Sequence, residues 1–129
     1  MKLTDFGFAT AYRAGEKLDL SLGSPLYMSP ELVREQVYDN RVDVWSLGCI
    51  AYILLSGIPP FWGNNKQAIY DAVQNNPLKF NDNFSKISKE AKDFITKCLQ
   101  KDFHRRLFIK DLLEHPWMKS HYGYHWIQL

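Results

Sequence analysis

An aspartate close to the start of the chain has the neighbours that a magnesium ligand needs. Asp5 is followed by Phe6 and Gly7, and a carboxylate in a glycine-containing turn offers a hard oxygen ligand with free placement of the backbone. Such a carboxylate can hold Mg²⁺ against nucleotide phosphates, which phosphoryl transfer requires. Because the same three residues also occur in ordinary surface turns, the interpretation depends on the segments that follow.

Later segments accompany Asp5 in a fixed order and spacing. They are residues 23–31 (GSPLYMSPE), 43–48 (DVWSLG), 57–61 (GIPPF) and 102–106 (DFHRR), with HPW at 115–117. Together with Asp5 they resemble the large lobe of eukaryotic Ser/Thr protein kinases, in particular the calcium/calmodulin-dependent and calcium-dependent group. The resemblance predicts a partial kinase domain over residues 1–118, followed by an aromatic C-terminal tail at 119–129.

The resemblance implies roles around the nucleotide and the substrate. Asp5 would bind the metal, Phe6 and Gly7 would orient it beside the nucleotide, and residues 8–22 would form the activation loop. Ser24 would lie beside the catalytic aspartate of the complete domain, which favours Ser and Thr substrates over Tyr. The loop that receives the residue after the phosphorylated hydroxyl would consist of Gly23, Ser24, Pro25, Leu26 and Tyr27.

Other matching positions are expected to hold the lobe together. Glu31 should form an ion pair with Arg106, which ties the substrate-binding loop to the last helices. Trp45 and Gly48 take structural roles in the same pattern. Asp43 has two interpretations: it interacts with the dipole of the helix it begins, or it is a buried acceptor that holds the backbone of a catalytic loop.

The chain departs from the family pattern at several positions. Ser29 stands where an alanine is usual, which we expect to be a small change, and Phe103 replaces a proline, which should leave its turn less rigid. Leu20 occupies the usual activating phosphorylation position. Ser21 beside it is then either a phosphorylation site or an ordinary loop serine, with Asp19 as a standing negative charge.

The 129 residues contain no Gly-rich loop, no strand lysine and no His-Arg-Asp segment. ATP and Mg²⁺ are therefore expected in the complete domain and not as tightly held ligands of these residues alone. One interpretation is part of a Ser/Thr kinase that acts on protein hydroxyls but is inactive by itself. The other is a scaffold that binds a partner near Tyr27 and the helix after Trp62 without catalysis.

Composition limits the other classes of function. The net charge of +2 comes from scattered basic residues, which does not indicate nucleic-acid binding. The longest apolar stretch, residues 44–55, is too short to cross a bilayer, and Cys49 and Cys98 indicate reduced, buried thiols. A cytoplasmic or nuclear protein is therefore expected, and the four histidines lack the partners of a zinc site.

The apolar periodicity predicts a mainly α fold, the helical part of the kinase large lobe without its β-rich small lobe. We predict a central helix around residues 44–55 that is apolar all round and ends at Gly57, then helices at 66–74, 88–100 and 109–113, with a loop at 75–86. The Asn64–Asn65 pair and Ser88 should cap two of them. Because helices that would cover the central one precede Asp5 in the family, self-association through exposed apolar surface is expected.

Overall fold

The structure, a computed structural model, describes residues 24–122, with side chains as far as Lys119. The regular structure of this part is helical, which confirms the predicted fold class. The helices are α1 (Pro30–Val33), α2 (Arg41–Ser56), α3 (Lys66–Asn75), α4 (Lys89–Cys98), α5 (Ile109–Leu113) and α6 (Pro116–Tyr122). Short 3₁₀ turns lie at Pro25–Tyr27 and Asp82–Phe84.

The core forms where α2 crosses α4. Trp45 and Cys49 of α2 and Ile95 and Cys98 of α4 are completely buried there. Gly48 lies at the crossing, where an added Cβ would be 2.6 Å from the Cβ of Cys98. Glycine at this position therefore lets the two helix backbones approach, which gives Gly48 of the predicted structural set a packing role.

Capping residues determine where the helices begin and end. The Asn65 side chain accepts a hydrogen bond from the Ala68 N–H at 2.8 Å, and Ser88 accepts one from Ala91 at 3.2 Å. Gly57 ends α2 in the left-handed conformation with φ of 81°, where a residue with a Cβ would be strained. All of these caps agree with the sequence-based prediction.

Helix α2, which the sequence predicts to be apolar all round, has an exposed face, in agreement with the exposed apolar surface expected from the sequence. Leu47, Ile50 and Leu54 are 39%, 37% and 68% exposed. In the described part of the chain, α4 and the two 3₁₀ turns contact α2, and they leave this face uncovered. The apolar residues of α2 therefore lie on two faces, one packed and one exposed. The periodicity of the sequence alone does not show which residues belong to which face.

Two short helices and one turn were not predicted. Pro30 begins α1 and Pro116 begins α6, because proline fits the first turn of a helix, where its missing N–H is not needed. The 3₁₀ turn at Asp82–Phe84 lies inside the predicted loop and buries Phe84. Among residues 24–122, none of the helices has both the length and the hydropathy of a bilayer span.

Candidate functional site

Glu31 and Arg106 form the buried ion pair that the sequence predicts. Glu31 lies in α1 and Arg106 in the loop between α4 and α5, and each is only 2% exposed. The Arg106 Nη1 and Nη2 groups donate to the two oxygens of Glu31 at 2.8 and 3.0 Å. This bidentate geometry fixes α1 against the C-terminal half of the described chain.

Every N–H of the Arg106 guanidinium has an acceptor. Besides the two bonds to Glu31, Nε and Nη2 donate to the carbonyl of Gln100 at 3.0 and 2.8 Å, and Nη1 donates to the carbonyl of Arg41 at 3.0 Å. The guanidinium also lies 5.1 Å from the ring centroid of Trp45. Since a guanidinium has five such donors in a planar fork, only arginine can make this set of bonds.

The 3₁₀ turn ahead of α1 presents the residues of the predicted substrate loop. Ser24 caps this turn, because its Oγ accepts from the Leu26 N–H at 3.4 Å and its carbonyl accepts from the Tyr27 N–H at 3.1 Å. Ser46 of α2 donates from its hydroxyl to the Tyr27 carbonyl at 2.9 Å, with the Val42 carbonyl a second acceptor at 3.2 Å. The loop is thus tied to the central helix through Ser46, whose role the sequence analysis did not predict.

Helix α3 packs beside the same loop. The Tyr70 hydroxyl donates to the Met28 sulfur at 3.6 Å, and Met28 belongs to a small apolar cluster with Leu32 of α1 and Val42 of α2. The loop, α1, α2 and α3 therefore form one continuous platform.

Arg41, at the start of α2, is enclosed by one carboxylate and two aromatic rings. Its guanidinium pairs with Asp39 at 2.7 Å and lies 4.8 Å from the Phe103 ring centroid and 4.5 Å from that of Phe108. Burial acts to raise the pKa of Asp39, but the hydrogen bonds from Arg41 outweigh it and hold that pKa below its ordinary value. Phe103 therefore supports its turn through contact with Arg41 in place of the rigidity that proline would give.

Asp43 differs from the buried acceptor that one interpretation predicted. Its residue is exposed at the surface of α2, and no side chain of the described part pairs with its carboxylate. Partial burial against the helix raises the pKa of Asp43, but one side of the carboxylate still faces solvent. The expectation of a buried acceptor short of donors is wrong, and the position in the first turn of α2 fits the dipole interaction.

His115 is buried and orients the end of the chain. Its Nε2 lies 2.7 Å from the Asp93 carboxylate, and its Nδ1 accepts from the Trp117 N–H at 3.1 Å. The ring of Trp117 packs 5.0 Å from that of Phe94. His115 and Trp117 thus take packing roles, and within residues 24–122 no three His, Cys, Asp or Glu side chains come together as a metal site.

Comparison with known proteins agrees with this architecture. The family model described as "Protein kinase domain" matches residues 1–118. The chain belongs to the protein kinase family. It is 41% identical to calcium-dependent protein kinase 32 of Arabidopsis thaliana over 121 residues, and 42% identical to calcium-dependent protein kinase 21 of the same plant. Calcium-dependent protein kinase 21 of Oryza sativa subsp. japonica is 40% identical.

These matches cover most of this kinase chain but a small part of each relative. Each alignment includes 93% of this chain, against 22%, 23% and 21% of the three relatives in the order named. The chain therefore spans about a fifth of the length of the curated relatives it matches. The matches confirm the predicted resemblance to Ser/Thr kinases of the calcium-dependent group.

Several predicted site residues of the kinase lie outside the described residues. These are Asp5, Phe6, Gly7, Ser21 and Gly23. Their predicted roles in metal binding, nucleotide binding, phosphorylation and substrate binding stay predictions. The described residues Ser24, Pro25, Leu26 and Tyr27 form one turn beside α2 and α3, whereas Asp43 points away from any partner in the described part.

Ser29 is the family departure with the clearest structural consequence. It is completely buried directly ahead of α1, and its Oγ has no hydrogen-bond partner among the described residues. A buried hydroxyl without a partner costs about 1–3 kcal/mol of stability. The expectation that Ser29 is a small change from alanine therefore underestimates its cost. The indole N–H of Trp45 is likewise buried without an acceptor.

Proposed function

We propose that these residues form the protein-substrate platform of a Ser/Thr protein kinase. In the complete domain, the platform would hold a protein hydroxyl for transfer of the γ-phosphate of ATP. The observation that carries the proposal is the bidentate Glu31–Arg106 pair, which anchors α1 directly behind the substrate loop. Because phosphoryl transfer depends on positioning and electrostatic stabilisation, a rigid substrate loop contributes directly to its rate.

The described residues support particular tasks in this function. Ser46 of α2 fixes the carbonyl of Tyr27, and Tyr70 of α3 contacts the side chain of Met28, the residue after the turn. Ser24 caps the turn and exposes its side chain, which suits contact with an incoming hydroxyl. ATP and Mg²⁺ supply the phosphoryl group and its charge neutralisation when bound, and Asp5 is the residue of this chain that would hold the metal.

We further propose that the 129 residues do not catalyse the transfer by themselves. Their sequence contains neither a Gly-rich loop nor a His-Arg-Asp segment, and these parts position the nucleotide and the attacking hydroxyl. The purified chain, incubated with magnesium, labelled ATP and a basic protein, should incorporate no more label than its Asp5→Ala variant. Incorporation that depends on Asp5 would contradict this part of the proposal.

A graft tests the platform within a complete kinase. In Arabidopsis calcium-dependent protein kinase 32, the 121 residues that match this chain are replaced by the matching residues of this chain. Phosphorylation of a Ser peptide by the graft is then measured. We expect activity in the graft, loss of most of it in Glu31→Gln, and little change in the exposed control Glu90→Gln. A folded graft without activity, or an active Glu31→Gln graft, would argue against the proposal.

The competing function is a docking module without catalysis. Trp62, ahead of α3, is exposed and could anchor a protein partner, because exposed tryptophan is common among binding hot spots. The graft separates the two functions. A docking module has no need of an active geometry and would leave the folded graft inactive, whereas a kinase platform restores phosphorylation.

A further inference from the structure

A cleft lies between α1 and the loop after α4, and none of the residues that line it belongs to the substrate loop. It has a volume of about 240 Å³ and is lined by Glu31, Arg34, Gln36, Lys101, Asp102 and Phe103. These residues come from α1, from the segment that follows it and from the loop after α4. Glu31, which is paired with the buried Arg106, forms part of its wall.

Two cationic side chains line this cleft without a carboxylate partner. Among residues 24–119, no ion pair includes Arg34 or Lys101. The Arg34 Nε donates to the Gln74 side chain at 3.3 Å. The Lys101 ammonium donates to the Val73 carbonyl and lies 4.1 Å from the Phe61 ring centroid. Both cations therefore reach the last turn of α3.

The two positive charges also affect each other. Burial, and after it repulsion from Arg34, together lower the pKa of Lys101 to about 8. An anion placed between the two side chains would relieve both effects, because it would compensate the lost hydration and the repulsion. Lys101 carries three ammonium hydrogens and Arg34 five N–H groups, so donors remain for such a ligand.

The acidic residues of the cleft do not cancel this charge. Both oxygens of Glu31 accept from Arg106, which neutralises it. Asp102 accepts from the His104 N–H at 3.0 Å and is the remaining negative charge against Arg34 and Lys101. The lining therefore keeps an excess of positive charge, with the Gln36 amide nearby as a neutral donor.

We propose that the cleft between Arg34 and Lys101 binds an oxyanion of the phosphate class, either free phosphate or a phosphoserine side chain. The site is separate from the proposed phosphoryl transfer, since none of its lining residues belongs to the substrate loop. An anion bound in this cleft would stabilise the contact between α1, α3 and the α4–α5 loop.

Calorimetric titration of the full 129-residue chain with inorganic phosphate, at constant ionic strength, tests the site. We expect saturable binding, with at least tenfold weaker affinity in Arg34→Gln and in Lys101→Gln. The exposed control Lys86→Gln removes the same charge elsewhere and should bind as the unmodified chain does. Circular dichroism establishes that each variant is folded, and Arg34→Gln remains informative if Lys101→Gln is not.

The outcomes separate the two sources of the anion. A phosphoserine peptide that binds more than tenfold tighter than phosphate, with no binding of its unphosphorylated form, supports a phosphoprotein ligand. Equal affinities support free phosphate. Absence of saturable binding, or equal losses in Arg34→Gln and Lys86→Gln, would overturn the proposal, because the anion would then respond only to the overall charge of the chain.

Discussion

Glu31 and Arg106, which are 75 positions apart in the sequence, are joined by two hydrogen bonds in a site closed to water. The same guanidinium also binds the carbonyls of Gln100 and Arg41. One side chain thus connects α1, the start of α2 and the end of α4. The platform for the substrate loop has its position because of this single arginine.

Replacing Glu31 by glutamine should strongly destabilise the fold. The amide keeps the size of the side chain but leaves the Arg106 charge without compensation, and breaking a buried pair in this way costs about 3–5 kcal/mol. The free energy of unfolding, measured with urea, should fall by that amount. The exposed control Glu90→Gln loses only an interaction with the dipole of α4 and should change it by no more than about 1 kcal/mol.

Arg106→Lys separates geometry from charge at the same site. Lysine keeps the positive charge but cannot supply the five planar donors that Arg106 uses. A stability close to that of the unmodified chain would show that charge alone holds the pair, which would contradict the role assigned to the guanidinium.

The sequence predicts those parts of this arrangement that depend on residues close together in the chain. The end of α2 and the starts of α3 and α4 were predicted because Gly57, the Asn64–Asn65 pair and Ser88 act within one turn of their own position. The Glu31–Arg106 pair was predicted only through the resemblance to kinases, since no local pattern links residues so far apart.

The features that the sequence did not predict depend on long-range contacts. From the sequence, Phe103 is only a residue that stands where the family has a proline. Its contact with Arg41 depends on the α4–α5 loop, which folds over the start of α2. One interpretation of Asp43 made it a buried acceptor through the resemblance to kinases, but the residue is exposed on α2. The missing partner of Ser29 likewise depends on the full set of atoms around it.

The same substitution should have opposite effects at two serines. Ser29→Ala removes a buried hydroxyl without a partner, so the free energy of unfolding should rise by about 1–3 kcal/mol. Ser88→Ala removes the cap of α4 and should lower it by about 1 kcal/mol. Urea unfolding of the two variants beside the unmodified chain makes the comparison, and a loss of stability in Ser29→Ala would show that its hydroxyl has a partner.

The two buried cysteines should make stability fall at alkaline pH. Burial raises the pKa of Cys49 and of Cys98 from 9.0 to about 12. Between these values the unfolded chain loses thiol protons that the folded chain keeps, so ionisation favours the unfolded state as the pH rises above 9. The free energy of unfolding, measured with urea, should therefore decrease between pH 8 and pH 10.5, and it should decrease less in Cys98→Ala than in the unmodified chain.

Thiol labelling gives an independent measurement of the same burial. At pH 8 the folded chain should react slowly with a disulfide reagent, because both thiols are protonated and inaccessible. In urea both should react. Rapid labelling of either cysteine in the folded chain would contradict the buried placement.

The open apolar face of α2 should cause the isolated chain to self-associate. Leu47, Ile50 and Leu54 lie on this face, and Leu54 is 68% exposed. Leu54→Lys places a charge at the most exposed residue of this face, which opposes the close approach of a second apolar surface. Sedimentation velocity should show a concentration-dependent increase in mass for the unmodified chain and a smaller increase for the variant. The control Gln67→Lys adds the same charge on the exposed side of α3, away from this face, and should leave association unchanged. If both lysine variants suppress association equally, net charge controls it and the α2 face does not.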